Sequence, residues 1–291
     1  MVVNWRREQA TIECCRRLLA WRELVAQIIL VDNGSGPETV ARLQGELPEV
    51  RVLDAGVNRG FAGANNLALE EIDCDLVLLL NNDAELDEAA ACLLLEFLKA
   101  EPRAGIAGPV LEAMSSPHAV LAAGGRDILR HGRTHSTPEE RAKQLQSAQP
   151  FPVNYVPGTA ALVRTRLLRQ LEGLDEAYFF SGEMADLAAR ARGLGFDSFI
   201  VPSARARHDL AVASDLRDSL YAYYSLRNRF LYARRHALRP TWSLVRWTAR
   251  GIASSLVSLG RGRVTRARCL ARAVFDGARG RFGKATIRVA P

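Results

Sequence analysis

Short apolar runs alternate with polar turn clusters along the first hundred residues, and each run has the length of a strand or of one helical face. Val2-Val3 runs into Asn4-Trp5 and reads as the end of a strand. Thr11 stands where it would cap a helix whose Ile12, Cys15, Leu18 and Leu19 share one side. The run Ile28-Ile29-Leu30-Val31 stops at the turn cluster Asp32 to Pro37, and a short helical stretch follows from Glu38. Val50-Arg51-Val52-Leu53 leads into a loop rich in Gly and Asn, then a helix around Ala64 to Glu71. Leu76 to Leu80 is continuously apolar, the pattern of a strand covered on both faces, and ends at Asn81-Asn82-Asp83. Strand and helix in alternation predict a parallel sheet with crossover helices.

From Ser115 to Pro152 the pattern loosens into Gly, Pro, His and charged residues, which reads as a long loop. Order returns with a strand over Tyr155 to Val163, a helix from Glu183 to Leu194 stopped by Gly195, and a strand Phe199-Ile200-Val201 before His208. After Asp215 the chain turns helical, with aromatics and arginines interleaved. An α/β catalytic domain over residues 1–215 and a basic, aromatic-rich helical extension over 216–291 are expected.

The 291 residues, 48% hydrophobic, suffice for one substantial core with length left for an appendage. The net charge of +7 conceals a strong asymmetry. Residues 216–291 hold 17 Lys and Arg against 2 Asp and Glu, a local net of +15. The rest, 22 against 30, is −8. A basic tail on an acidic body suits an anionic partner such as lipid headgroups, the alternative being a solvated charged face. Nucleic acid is not expected, because no recognised binding module accompanies the basic residues. Cys14, Cys15, Cys74, Cys92 and Cys269 are odd in number, include an adjacent pair and form no CxxC, which fits a reducing cytoplasm. No signal-like start and no apolar run of spanning length is visible, so a soluble or peripheral protein is expected.

Ligands of open α/β sheets bind beyond the carboxyl ends of strands, and three polar clusters sit there: Asp32-Asn33, Asn58 to Asn66, and Asn81 to Asp83. Asp32 can accept hydrogen bonds from a base or ribose, or simply shape a turn. Gly60 and Gly63 could let a phosphate approach, although no GxGxxG follows the first strand and a dinucleotide site is not supported. Asp83 offers hard carboxylate oxygen to magnesium or manganese, unless Asp83 or Asp87 caps the helix from Ala89 to Lys99.

Val31-Asp32-Asn33-Gly34-Ser35, Asn58-Arg59-Gly60-Phe61-Ala62-Gly63-Ala64-Asn65-Asn66 and Leu80-Asn81-Asn82-Asp83-Ala84-Glu85, in that order, resemble the motifs of glycosyltransferase family 2, particularly its rhamnosyltransferase-like members. The resemblance continues through Val156 to Ala160, Gly173 to Arg192, His208, Tyr223-Tyr224 with Arg227-Asn228-Arg229, and Asp276 to Gly283. It implies a GT-A fold, a mixed but mostly parallel sheet with flanking helices. It implies that Asp32 contacts the nucleotide base, that Asn81 to Asp83 stand in for a DxD motif, and that Asn4, Asn58, Gly60, Asn66, Asn81 and Asn82 surround the donor. Asp83, with His208, would hold a divalent cation, Mn2+ or Mg2+. The implied reaction moves a sugar with inversion from a nucleotide-diphosphate donor, with dTDP-rhamnose the first candidate, to a glycan or lipid-linked acceptor at the cytoplasmic face of a membrane.

One departure bears on the chemistry. Relatives place an Asp directly after the Glu of their acidic motif as the base, whereas this chain reads Ser181-Gly182-Glu183-Met184-Ala185-Asp186. Met184 cannot accept a proton, so Glu183 is the nearest replacement and Asp186, three positions on, the next. A catalytically silent homologue that binds nucleotide-sugar or glycan and acts as an assembly partner is the rival reading. A nucleotidyltransferase would need a Gly-rich, Lys-containing loop that is not evident. The stretch before Asn4 is also shorter than the first strand of relatives.

Overall fold

The computed structural model describes residues 1–21, 23–131, 136–209 and 218–285. The expected boundary between Asp215 and Leu216 lies outside the described residues. Strands β1 (Val2–Asn4), β2 (Ile29–Asp32), β3 (Arg51–Asp54) and β4 (Leu76–Asn81) are parallel and lie in the order β3-β2-β1-β4. Helices α1 (Glu8–Leu19), α2 (Pro37–Glu46) and α3 (Gly60–Leu69) alternate with these strands. Register sets the functional edge: Asn4 pairs with Asp32, Asp32 with Asp54, and Val3 with Asn81, so the polar clusters end up side by side.

Beyond β4 the sheet becomes mixed. It contains β5 (Ala84–Leu86), β6 (Ala104–Ala113), β7 (Ser116–Ala122), β8 (Phe151–Val153), β9 (Ala160–Arg164) and β10 (Asp197–His208). Strand β9 runs antiparallel to β4 with Leu80 opposite Ala160, which brings Thr159 beside Asn81; the Asn81 amide donates to the Thr159 carbonyl at 2.9 Å. Strand β10 runs antiparallel to β5, with His208 opposite Ala84. Helices α4 (Glu88–Ala100), α5 (Pro138–Gln144), α6 (Thr165–Gln170) and α7 (Glu183–Gly193) complete the α/β body.

The period-two alternation of strand side chains divides the core into two layers. Ile29, Val31, Val77 and Leu79 pack on one side of the sheet, while Ile28, Leu30 and Leu80 pack on the other. Helices α8 (Leu220–His236), α9 (Pro240–Gly260) and α10 (Val264–Ala278) build a third core around Tyr223, Phe230, Trp247 and Val274. Helix α8 also contributes Leu231 and Tyr232 to the first layer, so the extension is seated on the body. An apolar cavity of about 330 Å³, lined by Trp21, Ile28, Ile29, Leu76 and Leu78 among others, lies at the amino ends of β2 and β4, the end opposite the polar clusters.

Two local expectations are corrected and one open choice is settled. Residues 115–152 are not one long loop: β7 pairs with β6, β8 pairs with β10, and α5 opens with a Thr137–Glu140 capping box. Their strands are short and irregular in register, which hides the alternation. Helix α1 begins at Glu8, and Thr11 lies in its first turn, donating to Asn4 Oδ1 at 2.8 Å rather than capping. Asp87, not Asp83, caps α4, accepting from the Ala90 amide at 2.7 Å.

Candidate active site

Asn4 and Asp32 are both fully buried, at adjacent carboxyl ends of β1 and β2. Asn4 Nδ2 donates to Asp32 Oδ1 at 2.7 Å, and the Ser35 amide donates to Asp32 Oδ2 at 2.8 Å. Each oxygen of Asp32 therefore already accepts a bond, and a base would have to use the remaining lone pairs. Asn33 ties this turn to the next cluster: its Oδ1 accepts from the Arg59 amide at 2.8 Å, and its Nδ2 donates to the Gly60 carbonyl at 3.2 Å. Asn58 Oδ1 accepts from the Gly60 amide at 2.8 Å.

Gly60 has φ +74°, and a Cβ there would collide with the Phe179 carbonyl, whose oxygen accepts from the Phe61 amide at 2.7 Å. The close approach expected for a phosphate is thus made by the Phe179 backbone. Asn66 braces α3 against the 173–176 turn, donating to Leu174 O at 2.7 Å and accepting from Leu174 N at 2.8 Å. Asn82 donates to Thr11 Oγ1 at 2.8 Å. The Asn-rich positions are mostly bonded to one another or to nearby backbone, as a preorganised rim requires.

Asp83 differs from these. Arg7 Nη1 lies 3.2 Å from its Oδ2, and His208 Nε2 lies 3.2 Å from its Oδ1. Yet Oδ1 is buried and accepts no hydrogen bond among the described residues. An orphaned carboxylate oxygen beside an imidazole nitrogen fits a divalent cation. Among the described residues no cluster of three or more His, Cys, Asp or Glu could hold one alone. Magnesium-type sites commonly take one or two carboxylates and leave the rest to substrate phosphates and water, so a two-ligand protein contribution is sufficient. Arg7 was not singled out by the sequence, since nothing in its neighbours marks it.

The other end of the site is the turn into α7. Phe179 (φ +60°), Ser181 (φ +69°) and Gly182 (φ +104°) take left-handed conformations, which are costly for the first two. Helix α8 holds them. Asn228 Nδ2 donates to the carbonyls of Tyr178 (2.9 Å), Phe180 (2.9 Å) and Ser181 (2.6 Å). The buried Arg227 donates to Tyr178 O at 3.1 Å and Gly283 O at 2.6 Å, with its guanidinium 4.7 Å from the Tyr224 ring centre. The Arg227-Asn228 pair, legible beforehand only through resemblance, clamps the turn that delivers Glu183.

Glu183 is the first residue of α7 and is 8% exposed. Its Oε2 is buried without a hydrogen-bond partner among the described residues. Burial pushes its pKa up to about 7; a backbone hydrogen bond opposes this, and the Asp186 charge adds to it. Met184 is buried against Gly158, where an added Cβ would lie 3.1 Å from its Cγ. Gly158 precedes Thr159, which is bonded to Asn81, so one short segment links the Asn81–Asp83 cluster to the start of α7.

Asp186 is fully buried and saturated. It accepts from Arg190 Nε (2.7 Å) and Tyr178 OH (3.3 Å), and His236 Nε2 lies 2.7 Å from its Oδ1. Arg235 from α8 pairs with Asp175 nearby. Asp186 thus joins α7, the Glu176–Tyr178 turn and α8 in one network.

The mostly parallel sheet, the polar rim at its carboxyl ends and the buried acidic turn define a nucleotide-sugar transferase of the GT-A type. The Glycosyl transferase family 2 profile matches residues 1–171, more than half of the chain, and the chain belongs to that family. It is 29% identical over 253 residues to the N-acetylglucosaminyl-diphospho-decaprenol L-rhamnosyltransferase of Mycobacterium tuberculosis, covering 79% of this chain and 81% of that one. It is 24% identical to the low-salt glycan biosynthesis hexosyltransferase Agl10 of Haloferax volcanii, covering 79% of this chain and 73% of that one. In fold it is similar to the mannosyltransferase PcManGT of Pyrobaculum calidifontis in complex with GDP-Man and Mn2+, with TM-score 0.59 and 16% identity over 95% of this chain and 85% of that one. It is also similar to GalNAc-T7 with UDP, GalNAc and Mn2+, with TM-score 0.60 and 15% identity over 82% of this chain; it spans about half (51%) of that longer protein.

Proposed function

We propose that this glycosyltransferase moves a sugar, with inversion, from a nucleotide-diphosphate donor to a glycan or lipid-linked acceptor in surface polysaccharide synthesis. Rhamnose from dTDP-rhamnose is the first donor to test, because a rhamnosyltransferase is among its relatives. Work at the cytoplasmic face of a membrane, held there peripherally, suits the basic α8–α10 region and a lipid-linked acceptor. No helix among the described residues is long and apolar enough to cross a membrane.

The observation that carries the reading is Glu183: a buried, unpartnered carboxyl oxygen with a pKa of about 7 has the affinity a general base needs near neutral pH. Glu183 takes the proton of the acceptor hydroxyl as that oxygen bonds to the anomeric carbon, and the nucleoside diphosphate departs from the opposite face. Asp83 and His208 would hold the divalent cation, Mn2+ or Mg2+, which when bound would supply the positive charge that neutralises the leaving pyrophosphate. Arg7, on Asp83 Oδ2, adds a second positive charge at that end. The rim of Asn4, Asp32, Asn58, Gly60, Asn66, Asn81 and Asn82 shapes the donor pocket, and Asp186 positions α7.

Transfer of rhamnose from dTDP-rhamnose to a polyprenyl-diphosphate-linked acceptor tests the reaction. Glu183→Gln is expected to lower the turnover of the parent about 10²–10⁴-fold with donor affinity kept, the usual worth of a general base. Parental turnover in that variant would remove Glu183 from the role. Met184, buried where relatives carry Asp, favours a second reading, a silent homologue. A parent without transfer that gains it as Met184→Asp would establish that reading instead.

A further inference from the structure

Helix α9 carries two apolar faces where packing in this molecule needs one. Trp247, Gly251 and Ser258 are buried against α8 and α10. Trp242, Val245, Ile252, Leu256 and Leu259 are exposed, Trp242 by 70% and Leu256 by 63%. With exposed Ala249 they recur at spacings of 3, 4, 3, 4 and 3 residues. At 3.6 residues per turn this is a single stripe about 26 Å long, on the side nearly opposite the buried residues. The same geometry sets Arg246 and Arg250 along one flank of the stripe, with Arg239 and Arg261 at the two ends of the helix, all exposed. Arg246 also donates to the carbonyls of Leu129 and Arg130, which fixes the helix to the body.

The charge decides what such a face fits. Residues 239–261 contain four arginines and no acidic residue. A second copy of α9 laid on the stripe would set arginine against arginine with nothing of opposite sign on the helix to pair them. An anionic lipid surface supplies the missing charge along the flank and hydrocarbon for the stripe. With no helix apolar enough to span, the geometry is that of a helix lying in the interface plane, its exposed Trp at the headgroup level.

We infer that the Trp242–Leu259 stripe of α9 is the face by which this protein lies on an anionic membrane, with Arg239, Arg250 and Arg261 toward the headgroups. This rests on the peripheral-membrane part of the proposed function and gives it a surface. It also assigns the contact to α9 rather than to basic charge spread over the whole tail.

The full chain is mixed with vesicles of phosphatidylcholine alone or with 30% phosphatidylglycerol, and co-sedimentation is measured with the emission of Trp242. The parent is expected to bind the anionic vesicles with a blue shift that Trp242→Phe removes. Ile252→Glu with Leu256→Glu is expected to weaken binding at least tenfold at unchanged melting temperature, since both side chains are exposed. Arg250→Ala with Arg261→Ala is expected to weaken it less, with a smaller salt dependence. Parental binding by the double Glu variant overturns the assignment. So does a parent dimer that this variant converts to monomer without any vesicle binding, which would make a second copy the occupant. Transfer to a detergent-dispersed acceptor is read in parallel. It is expected to survive in the double Glu variant, and its absence in the parent would count against the proposed reaction and leave the docking result standing.

Discussion

The rim at the carboxyl ends of β1, β2 and β4 and the first turn of α7 are both built from buried or half-buried polar side chains, yet they are satisfied in opposite ways. On the rim, Asn4, Asp32, Asn33 and Asn82 bond one another, Thr11 or nearby backbone. Asp83 is the exception, with Oδ1 left over. In α7, Asp186 is saturated by Arg190, Tyr178 and His236, while Glu183 one turn earlier keeps Oε2 unpaired among the described residues. Burial alone does not separate structural from chemical carboxylates. Within α7, what separates Glu183 from Asp186 is whether the fold supplies partners, because an unpaired buried oxygen costs stability unless a ligand or proton answers it.

The sharpest way to break this contrast is at Asp186. Asp186→Ala removes the carboxylate that faces Arg190 and His236, leaving Arg190 only the Leu171 and Gly173 carbonyls, and should cost about 3–5 kcal/mol, as loss of one partner from a buried ion pair does. Urea unfolding of the purified variant measures it. A loss under about 1 kcal/mol would mean that Asp186 does not hold α7 and α8 together, and its place as a positioning residue would fall.

The next effect is carried by pH. Glu183 binds its proton more tightly folded, with a pKa of about 7 against an ordinary 4.5, so between these values the folded chain holds more protons than the unfolded one. Its contribution is fully present below about pH 4.5 and is lost as pH rises to about 7, a decline of about 3 kcal/mol. Stability measured across that range should lose this component in Glu183→Gln. Identical slopes in parent and variant would show that the carboxyl is not desolvated as the structure places it.

The smallest expected effect concerns Asp83. Asp83→Ala should weaken nucleotide-sugar binding in the presence of Mn2+ at least tenfold, about 1.4 kcal/mol, and leave binding without metal nearly unchanged. Calorimetry with and without the metal reads both. Equal metal dependence in parent and variant would show that the orphaned Oδ1 has another use.

Much of the α/β body was legible because its information is local. Apolar runs of strand length at Ile28 to Val31 and Leu76 to Leu80, each closed by Asp and Asn residues, yield parallel strands whose ends carry polar clusters whatever packs on them. The stretch from 115 to 152 was not legible, since β7 and β8 owe their extension to β6 and β10, strands far off in sequence or interrupted in register.

The sequence by itself determined the alternation of strands and helices through β4, the motifs of family 2, the basic end of the chain and the absence of Asp at 184. Tertiary structure alone decided that Asp186 is consumed by His236 and Arg190 while Glu183 is left a free oxygen. It alone brought Arg7 to Asp83, and Arg227 with Asn228 to a turn some 48 positions earlier. It alone decided which face of α9 is covered. The reason is the same in each case: hydrophobic pattern and turn chemistry act over a few residues. Whether a buried oxygen finds a partner, or an apolar stripe a cover, depends on groups that meet only after the chain has folded.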